Sequence, residues 1–464
     1  MTPYPEYKAT NLPWLPQIPT HWGISRAKNL YYKAARSVTD NAEVVTCFRD
    51  GQVTLRKNRR TSGFTESLKE IGYQGIAKGD LVIHVMDAFA GAVGVSDSDG
   101  KGTPVYSVCV AKDKGINNYY YAFIVREMAK RGFIQALYRG IRERSSDFRF
   151  EVFAAQYLPV PPATEQEQIV RYLDSMTAKI NKLIRAKKKQ IALLQEQKQA
   201  IINQAVTKGL NPDAEMKDSG IDWLGQIPAH WALPHLSFLT TKIGSGKTPK
   251  GGAEIYQDSG VMFIRSQNVY FNALRTGDIR YISEEINSTM RSTKVCREDV
   301  LLNITGGSIG RCCVFRQNAP ANVNQHVCII RCKKNLILPD YLANILFSYI
   351  GQNSIMFCQN EGNRESLTFP QIGAFCIPLP QIEEQKDILQ YLEIKTKSID
   401  IAVDKIDQEI QVFSELKNSY IASVVTGQVD VRNIQVEDFD PADLAPETDD
   451  DPAEEESTEE SEVE

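Results

Sequence analysis

Two stretches of the chain, residues 164–207 and 383–426, contain neither proline nor glycine, and within them apolar residues return every three to four positions. In the second stretch these are Ile399, Val403, Ile406, Ile410, Phe413, Tyr420 and Val424, close to the 3.5-residue seam of paired helices. The first stretch answers with Ile180, Ile184, Ile191, Leu194, Ile201 and Ala205, interrupted by Lys187 and Gln197, which weaken a seam but help set its register. Elsewhere the pattern shortens. "GDLVIHVMDAFAGAVGVS" (79–96) and "EDVLLNITGGSIGRCCVF" (298–315) read as buried strands broken by glycine turns. The chain therefore alternates globule, helix, globule, helix.

The alternation is a repeat. "WLPQIPTHW" (14–22) returns as "WLGQIPAHW" (223–231), and "PVPPATEQEQIVRYLDSM" from Pro159 returns as "PLPQIEEQKDILQYLEIK" from Pro378 at an offset of 219 residues. That offset also aligns Asp80 with Asp299 and Gly91 with Gly310, while the tryptophan phrase repeats at 209, so the second copy carries about ten extra residues. The expected fold class is α+β: two pseudo-repeated mixed α/β domains separated by two long helices that form an antiparallel coiled coil. The expected divisions are 1–158, a helical region 159–210, 211–377, a second helical region 378–430, and a tail 431–464. A 44-residue helix spans at most about 66 Å, so the first carries the chain away from the first globule and the second returns it, with the globules at opposite ends. The competing arrangement packs each helix on its own globule only.

Size and charge narrow the function. A chain of 464 residues with 42% hydrophobic content fits two to four domains with cores of their own. It shows no membrane-length apolar run and no signal-peptide pattern, so a cytoplasmic protein is expected. Nine cysteines without a framework spacing suit a reducing compartment. Cys312, Cys313, Cys328 and Cys332 lie close in sequence, but neighbours on a strand point to opposite faces, which argues against a shared metal. Fifteen of the 58 acidic residues and none of the 53 lysines and arginines follow Asn433, so the first 432 residues carry a net charge of +10. A body of that sign suits a polyanionic partner. The acidic end holds too little apolar surface to fold and reads as a disordered tail.

"GSGKT" (244–248) resembles a phosphate-binding loop but lacks the glycine six residues before the lysine, where Thr241 stands. Pro249, Gly251 and Gly252 also forbid the helix such a loop requires. A nucleotide-dependent enzyme is therefore the first alternative, and a coiled-coil scaffold that binds only protein is the second. Clusters of cations favour nucleic acid instead: Arg56, Lys57, Arg59 and Arg60, then Arg142 and Arg144 in the first copy; Lys247, Lys250, Arg265 with Gln267 and Asn268, and Arg364 in the second. Singly, each reads more readily as a solvated surface charge. Two unlike reading heads on a spacer suit a duplex read at two places about one helical turn, roughly 34 Å, apart. No catalytic constellation is found. A methylase tetrapeptide is missing, because Asn211-Pro212 runs into Asp213. A nuclease pairing of Pro339-Asp340 with Glu384 and Lys386 would span a domain boundary. His21 and His230 recur without a nucleophile and read as packing.

The duplicated tryptophan and Pro-Glu-Gln phrases, with the turn Ser308-Ile309-Gly310-Arg311, resemble the specificity subunit of type I restriction-modification systems over residues 11 to about 430. The resemblance implies two target-recognition domains, two helical spacers and a non-catalytic DNA-recognition role. It also implies assembly on double-stranded DNA with two methyltransferase subunits and with restriction motor subunits in a bacterial or archaeal cytoplasm. S-adenosylmethionine, ATP and Mg²⁺ would reside on those partners, with no cofactor in this chain. Gly246, Thr248 and Pro249 match a Gly-x-Thr-Pro turn of such domains, and nothing in the resemblance accounts for the acidic tail.

Overall fold

The computed structural model describes residues 2–39, 41–59, 71–137, 147–249, 251–271, 273–360 and 366–444. The chain forms two compact units, Met1–Lys189 with Asp407–Glu464, and Gln190–Ile406. Both boundaries fall inside the long helices, Ala163–Lys208 and Ile382–Val425, rather than at their ends. The reason is packing. Ile169, Val170 and Leu173 of the first helix enter the core of the first unit, and Ile388 and Leu392 of the second helix enter that of the second. The expected division into separate globular and helical regions is thus corrected: each globule is built with the start of one long helix and the end of the other.

In the first unit, Tyr31–Lys33, Tyr106–Ala111, Leu81–His84 and Val93–Val95 lie in that order in an antiparallel sheet. The short apolar runs sit in the middle of the sheet, where Leu81, Val82 and Ile83 are all buried because both faces are covered. Helix Asn118–Lys130 follows, its first turn capped by the Asn117 side chain, which accepts from the backbone N–H groups of Tyr119 and Tyr120. The second unit repeats this plan with Thr240–Ser245, Val327–Cys332, Val300–Asn303 and Cys312–Val314, in the same order, followed by helix Pro339–Phe347. It adds another sheet, Arg280–Ile282, Val261–Ile264, Ala321–Val323 and Lys294–Val295, one pair of which is parallel. Cys312 and Cys313 belong to different hydrophobic clusters on opposite faces. Among the described residues no group of His, Cys, Asp and Glu is placed to hold a metal.

The repeated phrases meet in space. In the first unit Glu165 accepts from Trp22 Nε1 at 2.9 Å and lies 2.8 Å from His21 Nε2, and the Tyr4 hydroxyl donates to it as well. In the second, Glu384 accepts from Trp231 Nε1 at 3.0 Å and lies 2.9 Å from His230 Nε2. The next residue repeats too. Gln166 accepts from the Asn117 N–H and donates to the Pro161 carbonyl; Gln385 accepts from the Leu338 N–H and donates to the Pro380 carbonyl. A Glu–Gln pair at each helix start therefore fastens that helix to its tryptophan phrase and to the cap of the helix on its sheet. His21 and His230 serve this clamp through the hydrogen bond that each ring makes with its glutamate.

The other helix end closes against the same tryptophan. Gly427, at φ +72°, lies where a Cβ would come 2.5 Å from Pro19 and 2.9 Å from Trp22, so only glycine leaves the helix there without a clash. Tyr120 donates to the Val425 carbonyl at 3.1 Å. Within the first unit the two helical segments run antiparallel, Asn181 opposite Lys417 and Lys187 paired with Glu409 at 2.6 Å. Within the second unit Lys198 pairs with Asp400 at 2.5 Å. Lys187, which interrupts the apolar seam, thus reaches across it, while Gln197 is exposed.

Residues 431–444 correct the expectation of a tail without structure from 431 onward. Val431 is buried, and Ile434 and Val436 pack against the same core. Gln168 donates to the carbonyls of Val431 and Ile434, Ser175 to that of Glu437, and Asn181 to that of Asp443. Lys179 pairs with Glu437 at 2.8 Å, and Arg185 pairs with Asp443. Three apolar residues and a row of side-chain donors on the first helix offset the ordering cost of this strap. Residues 445–464 lie outside the described residues.

Candidate nucleic-acid interface

Four turns of the second unit, at Lys247–Thr248, Gln325–His326, Gly306–Ser308 and Ser266–Asn268, converge on one edge. Strand Thr240–Ser245 delivers the turn with Lys247 and Thr248; its Gly246 lies so close to the Val323 carbonyl that a Cβ would come within 1.7 Å. The glycine is there for backbone approach, and no helix opens at Lys247, so the phosphate-loop geometry is absent. Thr248 donates to Gln325, Gln325 Nε2 lies 3.2 Å from His326 Nε2, and His326 Nδ1 shares a hydrogen bond of 2.5 Å with Thr305. This chain ties the lysine turn to the glycine turn Gly306–Ser308. Asn303 then donates to Ser266 O and Ser308 Oγ at 2.8 and 3.1 Å, which brings in the turn Ser266–Asn268.

Beside that turn, two arginines share one ring. The Arg275 guanidinium lies 3.5 Å from the Tyr270 ring centroid and that of Arg311 lies 4.8 Å from it. Among the described residues neither is in an ion pair, so each keeps N–H groups for an outside acceptor while stacking holds its plane. Sequence reading missed Arg275; the only signal was an arginine five residues after a tyrosine. Next to the glycine turn is a cleft of about 490 Å³, lined by Gly306, Gly307, Gln352, Asn353, Met356 and Gln359 among others. Its amide side chains are donors and acceptors of the kind that read base edges.

Several residues singled out from the sequence have other work. Gln267 and Asn268 donate to the Asp278 carboxylate at 2.7 and 2.9 Å, and Arg265 donates to its carbonyl at 3.0 Å. Asn268 is fully buried. These three brace a turn around Asp278. In the first unit Lys57 pairs with Glu43 at 2.7 Å, and Arg59 pairs with Asp50 at 2.6 Å while lying 4.2 Å over the Phe48 ring. Arg56 begins the short helical turn Arg56–Asn58 and is half-buried. Lys247 is exposed. Arg60, Arg142, Arg144, Lys250 and Arg364 lie outside the described residues. Of the twelve cations and amides singled out, Lys247 alone is placed by the described structure at the edge where the four turns meet without being tied to a carboxylate.

The model of the type I restriction modification DNA specificity domain matches residues 57–193 and 241–412. The EcoBI specificity subunit of Escherichia coli is 26% identical over 279 residues, 59% of this chain and 58% of its own length. The StySPI specificity subunit of Salmonella potsdam is 25% identical over 207 residues, 44% of either chain. The chain thus spans about half the length of these curated relatives. A solved chain from work on complex assembly and conformational transition of the type I R-M system superposes with a TM-score of 0.62 at 14% identity, covering 89% of this chain and 99% of that one. That likeness shows a shared fold.

Proposed function

Because the chain belongs to the family of type I restriction modification DNA specificity proteins, we propose that it reads a bipartite target in double-stranded DNA, one half-site for each unit. It docks two methyltransferase subunits and the restriction motor subunits and performs no chemistry itself. S-adenosylmethionine, ATP and Mg²⁺ act on those partners. The observation that carries the reading is the convergence of four turns on one edge of the second unit, with Arg275 and Arg311 stacked on Tyr270 next to the turn Ser266–Asn268. Fixed guanidiniums suit phosphates or guanine edges. The stage is a soluble one in this reading; no helix among the described residues is long and apolar enough to cross a membrane. The test is to express the chain with its methyltransferase and map methylated adenines in the host DNA. A single two-part motif is expected; methylation without sequence preference refutes the reading.

Individual side chains divide the work. Lys247→Ala is expected to weaken duplex binding several-fold, equally on all sequences, with the salt slope smaller by about 0.9 for one lost phosphate contact. Arg311→Ala is expected to relax base choice in one half-site as well. ATP binding by the isolated chain that Lys247→Ala abolishes would instead establish the nucleotide reading.

The helical segments set the gap between half-sites in this proposal. Seven residues added after Lys188 and seven after Asp407 preserve the seam phase, since seven residues make nearly two turns. Each helix grows by about 10 Å, which at roughly 3.4 Å per base pair adds about three unread positions to the methylated motif. An unchanged gap in the methylation map excludes the helices as the spacer.

A further inference from the structure

A cluster of cations in the first unit is not part of the edges described above. Arg126 and Lys130 stand one turn apart on the face of helix Asn118–Lys130. Lys130 Nζ donates to Asn418 Oδ1 at 2.7 Å, and the adjacent Lys417 donates to Asn181 Oδ1 at 3.1 Å. Both lysines are thus held by neutral amides, and among the described residues none of the three cations is in an ion pair. Arg126 Nε is buried without a hydrogen-bond partner. Nearby cations differ: Arg36, Arg49, Arg59 and Arg131 are each paired with a carboxylate. Burial lowers the pKa of Arg126, and burial together with the repulsion of Arg126 lowers those of Lys130 and Lys417. Asp50 and Glu127 act on Arg126 and Lys130, but each is already paired with another arginine, Arg59 and Arg131, so three fixed charges that repel one another keep an excess of positive charge that suits an anion.

The strap ends beside this site. Asn181, whose Oδ1 holds Lys417, donates through Nδ2 to the carbonyls of Asp443 at 3.1 Å and Leu444 at 3.5 Å. Beyond Leu444 the sequence has eleven acidic residues and no lysine or arginine. Glu447, the first of them, is three residues on, at most about 11 Å of extended chain. That is close to one Debye length at physiological salt, about 8 Å. The strap therefore delivers the most acidic segment of the protein to its unpaired cations at high effective concentration.

We propose that the acidic residues 447–464 occupy the Arg126, Lys130 and Lys417 cluster in cis and compete there with the phosphates of bound DNA. The first half stands on this unit alone, and the second rests on the DNA-reading function proposed above. The tail then acts as an intramolecular competitor. It suppresses sequence-independent attachment, which is almost wholly electrostatic, more than it suppresses target binding, which has base contacts to add.

A chain ended after Leu444 keeps the whole strap and supplies the test. Titrated with a synthetic peptide of residues 446–464, it is expected to bind in a salt-sensitive manner, and the Lys130→Gln/Lys417→Gln version is expected not to. Glutamine still donates to Asn418 and Asn181, so the thermal midpoint should hold or rise as repulsion is relieved. No peptide binding, or equal binding by both versions, overturns the proposal. In the assembled complex, ending the chain after Leu444 should tighten non-specific duplex binding on the order of tenfold at low salt, and only while the two lysines are present. Equal tightening in the glutamine background shows a general charge effect and overturns the competition. Peptide binding by the chain with no duplex binding by any form of the complex supports the cis contact and removes the DNA-reading function instead.

Discussion

Exchanging residues 27–156 for the corresponding segment of another family member should change one half of the methylated target completely and leave the other half as it was. The junction follows from the fold. Strand Gly23–Arg26 pairs with Tyr157–Val160, Arg26 opposite Tyr157, and the Ala27 N–H donates to the Gln156 carbonyl at 2.8 Å. The two cut points therefore face each other across one antiparallel ribbon, and a foreign globule can be inserted without moving that ribbon. Trp22 and Glu165 lie outside the exchanged segment, so the clamp between the tryptophan phrase and the first long helix stays intact. The second unit, Gln190–Ile406, contains none of the exchanged residues. The methylation map of the hybrid decides the matter. A target altered in both halves, or an altered gap, would show that the units do not read independently.

Glu165→Ala should cost on the order of 3 kcal/mol of stability, and Glu384→Ala about 1 kcal/mol. The two glutamates occupy equivalent places, but their surroundings differ. Glu165 is 4% exposed and accepts from Trp22 and Tyr4 while also bonding His21; removing its carboxylate strands buried donors. Glu384 is 30% exposed beside a His230 that is 56% exposed, so water replaces part of what is lost. Denaturant unfolding of each variant, followed by tryptophan fluorescence, reads the difference. The reverse order, or no loss in either, means that apolar packing and not the carboxylate holds the helix starts. Because the chain has two units, the two losses should appear in different unfolding transitions.

Much of the architecture was legible because it is written twice. A shared offset of 219 residues forced two like globules, and the proline-free stretches with three-to-four spacing forced two long helices. Periodicity reports which faces are apolar, and it does so locally. The partners of those faces are another matter. The boundaries drawn at 158 and 210 treated the helices as separate regions, whereas their apolar residues are shared with the globular cores.

The candidate interface was less legible, for a related reason. Arg265, Gln267 and Asn268 form a polar run of the right chemistry for reading bases, yet Asp278 gathers all three. Lys57 and Arg59 were likewise met by Glu43 and Asp50. A sequence shows how many charges a loop carries, but a cation is available to a ligand only where the fold leaves it without a carboxylate.

The sequence by itself determined the number of units, their likeness, the helical segments between them and the separation of a basic body from an acidic end. Those properties depend on residue type and spacing along the chain. Only the tertiary structure decided that Glu165 and Glu384 clasp tryptophans 143 and 153 residues away. It also decided that Arg275 and Arg311 share the Tyr270 ring, and that a tail expected to be solvated begins as a strap on the first helix. Each of these is a pairing between distant segments, and pairing energy depends on distance and burial, quantities that exist only once the chain has folded.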